Sequence, residues 1–382
     1  MGDRDLNTLT SLHDLAFVLS EDRQDEKAEA LYERALEGRR AVLGPDYPDT
    51  QKTAYNLARV SSRLGRHEKA IALASELADL RRSKLGPDAS DTIEMIDFLC
   101  SCQSEVGRNA DAIQLRQSCQ AACASLGETH PIRLRMANNL ALAYLNGGHR
   151  DLAIKVSEEM LPLQEAAFGR DHDNTLSALH TLSLAYVKVG RLNDAEARQE
   201  EILAKRTAKL GREHPQTVSD LENLSVTYAT DKKPERAIPL NLEHLKLKRK
   251  QVKDEWEFST LQASVSLELL AFDAYVEAEP HLRECLATRT RLRPDDWRTL
   301  NTQSMLGGAL AGLKRLDEAE PLLLAGYQGM KERQQQIPPE PIDARMQVPR
   351  AAERLAKFYE AKGQADKAAQ WREVAASEQP TQ

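Results

Sequence analysis

Residues 43–85 read LGPDYPDTQKTAYNLARVSSRLGRHEKAIALASELADLRRSKL, and their pattern indicates the fold class. Asp49 and Thr50 belong to the residue types that cap helix N-termini, and the apolar residues after them recur at helical spacing. Gly65 can adopt the left-handed conformation in which helices commonly end. A second set of apolar residues at helical spacing covers about His67 to Lys84. The stretch therefore predicts a helix, a glycine turn and a second helix.

The same pattern recurs through the chain at intervals of about 42 residues. An alanine marks each copy, a large aliphatic residue stands thirteen positions before it, and the residue after the aliphatic one is small. The marker alanines are Ala28, Ala70, Ala112, Ala153, Ala195, Ala237, Ala278, Ala319 and Ala368. The aliphatic markers are Leu15, Leu57, Leu99, Leu140, Leu182, Leu224, Val265, Leu306 and Leu355. A small residue in every copy indicates that another helix passes close by, as in an array of stacked hairpins.

The recurrence divides the chain into nine units and one proline-rich insertion. The units cover about 1–43, 44–85, 86–126, 127–168, 169–210, 211–252, 253–292, 293–333 and 350–376, and the insertion covers 334–349. A continuous helix through the insertion is incompatible with Pro338, Pro339, Pro341 and Pro349. Three further prolines are expected in the first turn of a second helix, where proline is tolerated: Pro239, Pro280 and Pro321. Unit seven shows no turn residue of the usual kind between Phe272 and Tyr275.

These residues resemble the tetratricopeptide repeat. The resemblance lies in a Leu-Ala pair such as Leu57-Ala58, a glycine seven residues later and an alanine five residues after that. The period of about 42, the phrase LGREHPQT at 210–217 and the Asn-Leu-Ala triplets at 56–58 and 139–141 are most similar to repeats of the kinesin light chain type. The resemblance implies an all-α fold, a right-handed superhelical solenoid of about nine helix-turn-helix repeats, and a scaffold that binds protein.

The composition narrows the possible functions. With 52 Lys and Arg against 59 Asp and Glu, the net charge of −7 gives no general attraction to nucleic acid or to anionic membranes. No apolar run approaches the roughly 18 residues that span a bilayer. The five cysteines are few and odd in number, which fits a reducing compartment, and a cytoplasmic location is expected.

No motif for catalysis or cofactor binding is present in the sequence. It contains no His-Glu-x-x-His pair, no phosphate-binding glycine loop and no Gly-x-Ser-x-Gly turn. Four cysteines lie close together, at Cys100, Cys102, Cys119 and Cys123. Because two residues two apart on a helix point about 200° away from each other, Cys100 and Cys102 cannot face one metal ion. We therefore expect no enzymatic activity, metal or cofactor, and interpret the cysteines as packing residues.

The most basic segment, HLKLKRKQVK at 244–253, has two interpretations. Such a cluster is typical of nucleic-acid binding, but cations are also favoured at a helix C-terminus because they complement its dipole. We favour the second interpretation, so nucleic acid is not the expected partner, although a basic-patch nucleic-acid binder stays open as a third function.

The resemblance also implies a binding groove. In the family, first helices line a concave surface, and the corresponding residues here are Lys52, Tyr55, Asn56, Arg59, Arg63, Arg135, Asn138, Asn139, His180 and Asn223. Asn56, Asn139 and Asn223 occupy the family position whose amide bonds the backbone of a bound peptide. An amide suits this role because it both donates and accepts hydrogen bonds. Because the nearby cations favour carboxylates, we expect an extended peptide that is acidic or carries a C-terminal carboxylate.

Two further features leave alternatives open. At the groove positions, units seven and eight carry almost no charge: Ala263, Ser264, Leu267, Leu270, Ser304, Met305, Gly308 and Ala311. Such a face favours an apolar helix, the insertion, or a second protomer in a homo-oligomer built through units seven to nine. Residues 1–8 stand in register with 43–50, so the chain is either cut from a longer polypeptide or begins on a linker phrase. Since residues 354–372 are similar to the end of repeat regions that follow bacterial serine/threonine kinases, the array is alternatively a regulatory or oligomerisation arm of a larger signalling protein.

Overall fold

The computed structural model describes residues 4–338 and 342–379, and every regular element in these ranges is helical. The α-helices are α1 (Leu6–Glu21), α2 (Asp25–Leu43), α3 (Pro48–Arg63), α4 (His67–Leu85), α5 (Ser90–Glu105), α6 (Asn109–Ala122), α7 (Pro131–Asn146), α8 (Arg150–Phe168), α9 (Asp173–Lys188), α10 (Leu192–Leu210), α11 (Pro215–Thr230), α12 (Pro234–Gln251), α13 (Glu255–Ala271), α14 (Tyr275–Leu292), α15 (Trp297–Gly312), α16 (Leu316–Glu332), α17 (Ile342–Arg345), α18 (Gln347–Ala361) and α19 (Ala365–Ser377). Apart from the single turn α17, these helices form successive hairpins. The prediction of an all-α array of helix-turn-helix units is confirmed.

The chain divides into two compact bodies. The first is Met1–Ile202 and the second is Leu203–Gln382, with the boundary inside α10. Within each body, a second helix packs on its own first helix and on the first helix of the following hairpin, as α2 does on α1 and α3. None of the described helices is both long enough and apolar enough to cross a bilayer.

The marker residues form the core of each body. All nine marker alanines are at most 1% exposed. The aliphatic markers from Leu57 to Leu355 are at most 6% exposed, whereas Leu15 on α1 is 51% exposed. The difference arises because the later markers pack against the preceding hairpin, and the described residues provide no such hairpin for α1.

The close approach expected at the small residues is present between α15 and α16. A Cβ atom added to Gly307 would lie 2.7 Å from Leu323 Cγ and 3.0 Å from its backbone nitrogen. On the facing helix, a Cβ atom added to Gly326 would lie 2.7 Å from the backbone nitrogen of Ser304. The two helix backbones are therefore closer than any side chain allows, and the expectation from the sequence is confirmed here.

The hairpin turns use a left-handed residue whether or not that residue is glycine. Five turns place a glycine at φ between 73° and 81°, at Gly65, Gly107, Gly148, Gly190 and Gly363. Four others place a residue with a side chain at φ between 56° and 63°, at Arg23, Lys232, Asp273 and Lys314. The expectation that unit seven lacks a turn residue was wrong, because Asp273 adopts the conformation that glycine supplies elsewhere. An L-residue in this conformation costs about 1–2 kcal/mol, which the packing of the hairpin offsets.

Two local expectations about helix starts were also wrong. Asp49 and Thr50 do not cap a helix, because α3 begins at Pro48 and its N-cap residue Tyr47 makes no side-chain capping bond. A proline at the first helical position has its φ already set for the helix, which accounts for the earlier start. The three prolines expected in first turns lie inside their helices instead, at Pro239, Pro280 and Pro321. Each proline is the sixth residue of its helix, because these helices begin two residues after a left-handed turn residue, as the helices after glycine turns also do.

The insertion packs onto the second body. Ile337 is 6% exposed and Ala344 is 9% exposed, and both belong to the same apolar cluster as the core of α15, α16 and α18. Pro339 and Pro341 lie outside the described residues. Pro349 does not interrupt a helix, because it lies in the first turn of α18, where the amides have no intrahelical partner.

Candidate functional site

The ten predicted binding residues all lie on first helices of hairpins. Five lie on α3, three on α7, one on α9 and one on α11. The first nine belong to the first body, and Asn223 belongs to the second. In the first body, consecutive first helices contact each other: α1 with α3, α5 with α7, and α7 with α9. We call the side of the first body that carries these nine residues the first-helix face.

Two cations of α3 are exposed on this face. Neither Lys52 nor Arg59 has an acidic partner among the described residues. The guanidinium carbon of Arg59 lies 5.8 Å from the ring centroid of Tyr55. The Tyr55 ring in turn packs edge-on against Phe98 of α5, with 5.9 Å between ring centroids. This arrangement presents two positive charges beside an aromatic surface, which suits a ligand with carboxylates.

Arg63, the third predicted cation of α3, is already paired. Its Nε donates to Asp25 Oδ2 at 2.9 Å, and its Nη2 donates to Ser20 Oγ at 2.6 Å. The hydrogen bonds from Arg63 lower the pKa of the Asp25 carboxyl group. Arg63 therefore joins unit two to unit one, and less of its charge is available to a ligand than the sequence suggests.

The Asn56 side chain also has a partner within the protein. It hydrogen-bonds the hydroxyl group of Tyr32 on α2. Burial raises the pKa of Tyr32 to about 12, and the hydrogen bond from Asn56 counteracts part of that rise. A peptide backbone would have to share this amide with Tyr32.

Two acidic residues of unit three, Glu94 and Asp97, pair with polar residues of unit four. Asn139 Nδ2 donates to both carboxylate oxygens of Asp97, at 3.0 and 2.8 Å. Arg135 Nη2 lies 3.3 Å from Glu94 Oε1. Asn138 differs, because its Oδ1 is buried and accepts no hydrogen bond among the described residues. Of the four cations predicted for the site, only Lys52 and Arg59 of α3 therefore lack an acidic partner among the described residues.

The last two predicted residues lie farther along the chain. His180 on α9 and Asn223 on α11 are both partly buried, and each interacts with other residues of the protein. Since Asn223 belongs to the second body, the candidate site consists of the residues on α3, α7 and α9.

The cysteines show the environment of packing residues. All five are buried and reduced. Burial raises the pKa of the Cys100 thiol to about 12 and that of Cys119 to about 11, so both are protonated at neutral pH and are poor nucleophiles. The described residues contain no group of three or more His, Cys, Asp or Glu side chains arranged to hold a metal ion.

The basic segment at 244–253 is the amphipathic end of α12. His244, Leu245 and Leu247 are buried, while the cations lie on the opposite side of the helix. Lys250 pairs with Glu213, and the Arg249 guanidinium lies over the Phe258 ring at 4.9 Å. The arrangement agrees with the interpretation as a helix C-terminus.

One set of structural residues was missed by the reasoning from sequence. Arg39 is only 3% exposed, and its Nη1 donates to the backbone oxygen of Asp49 and to Thr53 Oγ1, at 2.9 and 2.7 Å. Arg289 makes the equivalent bonds in the second body. Both arginines stand eleven residues after a marker alanine. The available signal was the recurrence of arginine at this position, at Arg39, Arg81, Arg206 and Arg289.

Helical hairpins repeated at a fixed period, with a buried alanine in each, define a helical-repeat protein. The family model described as tetratricopeptide repeat matches residues 7–83 and 136–208. These two segments therefore match the tetratricopeptide repeat, in agreement with the predicted resemblance to that repeat. This family typically provides contacts between proteins and is typically non-enzymatic. No curated protein matches the chain.

Several solved structures are similar to this chain. The apo form of RapI is 10% identical and has a TM-score of 0.60, with 97% of each chain covered. BtubC (BKLC) from P. vanneervenii is 18% identical, with a TM-score of 0.51 over 59% of this chain and 92% of that one. Tetratricopeptide-like repeats of a kinesin light chain from Podosopora anserina are 23% identical, with a TM-score of 0.48 over 53% of this chain and 95% of that one. At these identities, the likeness to RapI and to BtubC concerns the fold alone.

Proposed function

We propose that the first body binds an extended peptide that carries carboxylates, along the first-helix face. The observation that carries the proposal is the pair of exposed cations Lys52 and Arg59, which lack an acidic partner among the described residues and flank Tyr55. A hydrogen bond to a charged group contributes about 1.5–3 kcal/mol, so two such cations account for a selective interaction. We propose further that the protein acts in the cytoplasm as a scaffold, without catalysis or a cofactor.

The test is a selection of peptides on the natural chain, followed by anisotropy measurements on the enriched sequences. We expect these peptides to contain Asp, Glu or a free C-terminus, and the Lys52→Ala/Arg59→Ala variant to bind them about tenfold or more weakly. Asn56 and Asn139 stay unchanged in this test, because each holds an internal hydrogen bond whose loss would alter the fold as well as the face.

The matched control removes two cations from the same hairpin. Arg82→Ala/Lys84→Ala changes the net charge equally, but these residues lie on the second helix α4 and pair with Asp79 and Asp46. The control is expected to bind as the natural chain does. Equal weakening in both variants would show general charge attraction rather than recognition at α3, and strong binding of nucleic acid without peptide selectivity would favour the basic-patch function.

A second proposal is that the array is a regulatory or oligomerisation arm. It is supported by α1, where Leu15 is 51% and Val18 is 61% exposed, whereas Leu57 at the position equivalent to Leu15 is 2% exposed. The exposed side of α1 thus carries apolar residues of the kind that other hairpins bury against a neighbour, and a second copy of the chain is the partner that we propose for it.

Light scattering at increasing protein concentration tests this second proposal. We expect the natural chain to associate and Leu15→Glu/Val18→Glu to remain monomeric, because two charges cannot be buried in an apolar interface without partners. Leu267→Glu, on α13, tests the alternative interface through units seven to nine. A natural chain that stays monomeric throughout, or variants that associate equally, would contradict both interfaces.

A further inference from the structure

The second body contains a cavity between first helices. It has a volume of about 550 Å³ and is lined by α13, α15 and α18, with Tyr275 and Lys314 beside them. A volume of this size lies within the range of about 300–1,000 Å³ that is usual for small-ligand sites. The cavity belongs wholly to the second body, so it is separate from the first-helix face.

The cavity exists because unit eight lacks side chains where other units have them. Gly308, Ala311 and Gly312 occupy the positions at which unit two has Arg59, Ser62 and Arg63. The missing side chains also let neighbours approach α15: a Cβ atom on Gly308 would lie 3.3 Å from Arg354 Cδ, and one on Gly312 would lie 2.4 Å from the Tyr275 ring. Unit eight thus provides a floor of backbone and methyl groups.

The face predicted to be open at units seven and eight is partly covered. Ser304 and Met305 are 0% and 1% exposed, because α18 and Arg354 lie against α15. Leu267 and Leu270 remain half-buried on the cavity wall, opposite Phe358. The uncovered remainder of the apolar face is therefore a bounded cavity rather than a flat docking surface.

Arg354, which lines this cavity, has no carboxylate partner among the described residues. Arg354 Nη1 donates to Asn301 Oδ1 at 3.3 Å and to Ser304 Oγ at 3.1 Å, and both of these acceptors are neutral. Within the described residues, Arg354 forms no ion pair, and its Nε and Nη2 have no hydrogen-bond acceptor. These two nitrogens form the edge of the guanidinium that binds a carboxylate through two parallel hydrogen bonds.

The other charges at the cavity are also mostly positive. Lys314, Arg350 and Lys357 line it together with Arg354, and Glu353 is the single carboxylate among its lining residues. Burial lowers the pKa of Arg354 to about 10, with a smaller contribution from Arg350. The guanidinium therefore stays protonated at neutral pH. An excess of cations here contrasts with the net charge of −7 for the whole chain.

We propose that this cavity binds a small amphipathic carboxylate: a free monocarboxylic acid whose carboxylate pairs with Arg354 and whose apolar body lies between Leu267, Leu270 and the floor of unit eight. The carboxylate supplies the counter-charge and the two acceptors that Arg354 lacks. The apolar body fills the space that Gly308, Ala311 and Gly312 leave open, and the cavity size selects a small molecule over a folded partner.

Calorimetric titration of the full chain with decanoate tests the proposal. Decanoate is expected to bind, and decanol, which has the same apolar body without the charge, is expected to bind at least about tenfold more weakly. Arg354→Met is expected to weaken decanoate binding about tenfold or more. Ala311→Leu keeps every charge and fills the floor, and is expected to weaken decanoate and decanol alike. A melting curve for each variant verifies that it is folded.

The control variant is Arg372→Met, which removes an exposed cation of α19 and is expected to bind decanoate normally. Lys52→Ala/Arg59→Ala is also expected to bind decanoate normally, so the outcome is independent of the peptide site. The proposal is overturned if decanoate does not bind the natural chain, if decanol binds as tightly, or if Arg354→Met and Ala311→Leu leave the affinity unchanged. A peptide C-terminus that binds here in preference to decanoate overturns the assignment to a free acid.

Discussion

Gly326→Ala is expected to lower the free energy of unfolding of the second body by about 3 kcal/mol. The new Cβ atom would lie 2.7 Å from the backbone nitrogen of Ser304 and 2.8 Å from the backbone oxygen of Leu300. Both atoms belong to the backbone of α15, which cannot move aside as a flexible side chain would. The helices α15 and α16 must therefore separate, and their shared apolar contacts loosen.

Whether Gly326→Ala lowers or raises the free energy of unfolding shows which effect dominates, close helix packing or helix propensity. At a solvent-exposed helix position, replacing glycine with alanine stabilises the helix by about 1 kcal/mol. Helix propensity alone therefore predicts a higher free energy of unfolding. Urea unfolding followed by tryptophan fluorescence measures the effect, because Trp256, Trp297 and Trp371 all lie in the second body. Ala325→Ser, at the exposed neighbouring position, is the control and is expected to change little. A more stable Gly326→Ala variant would show that the helices are not in close contact.

Arg289→Met is expected to lower the free energy of unfolding of the second body by about 2 kcal/mol. Arg289 is 3% exposed, and its Nη1 donates to the backbone oxygen of Arg298 and to Thr302 Oγ1, at 3.0 and 2.8 Å. Its Nε donates to Ser259 Oγ at 3.1 Å. A methionine fills similar space but removes these buried hydrogen bonds, which join α14 to both α13 and α15.

Burial also disfavours the charged form of Arg289, so we expect only a moderate loss of stability on substitution. Burial lowers the pKa of Arg289, which means that the protein environment disfavours its charged form. Arg289→Lys keeps the charge but loses the planar guanidinium group. Its stability is expected to lie between those of the natural chain and Arg289→Met. Arg291→Met removes an exposed cation of the same helix and should have almost no effect. Unfolding midpoints in urea compare the four chains, and a fully stable Arg289→Met variant would mean that the bonds only offset the desolvation of the charge.

Most of the fold could be predicted because the residues that specify each hairpin recur at a regular interval along the chain. The alanine that recurs at Ala28, Ala70 and onward is buried in every copy. The interval of about 42 residues is a property of the sequence that no tertiary contact changes. The errors were local: Asp49 and Thr50 did not cap α3, and Asp273 made a left-handed turn without glycine. At α3, the fixed φ of Pro48 favoured an earlier helix start, whereas at Asp273 the packing of the hairpin offset the cost of the left-handed conformation.

The candidate site was less predictable, because the same residue type has different partners in different units. Arg59 and Arg63 are four residues apart on α3, yet Arg59 has no acidic partner among the described residues and Arg63 binds Asp25. Likewise, Asn139 is held by Asp97, a residue of the preceding unit. The sequence places each side chain at a register position but does not say what the neighbouring unit offers to it.

The all-α class, the hairpin repeat and the residues of its core follow from the sequence alone, because repeated small and aliphatic residues specify helix faces wherever they occur. Which polar groups are available for ligands depends instead on contacts between hairpins. Stacking brings residues about 40 positions apart into contact, and there Arg63 meets a carboxylate while Arg354 meets only neutral acceptors. Whether a charge is neutralised depends on that neighbour, and the period of the repeat does not encode it.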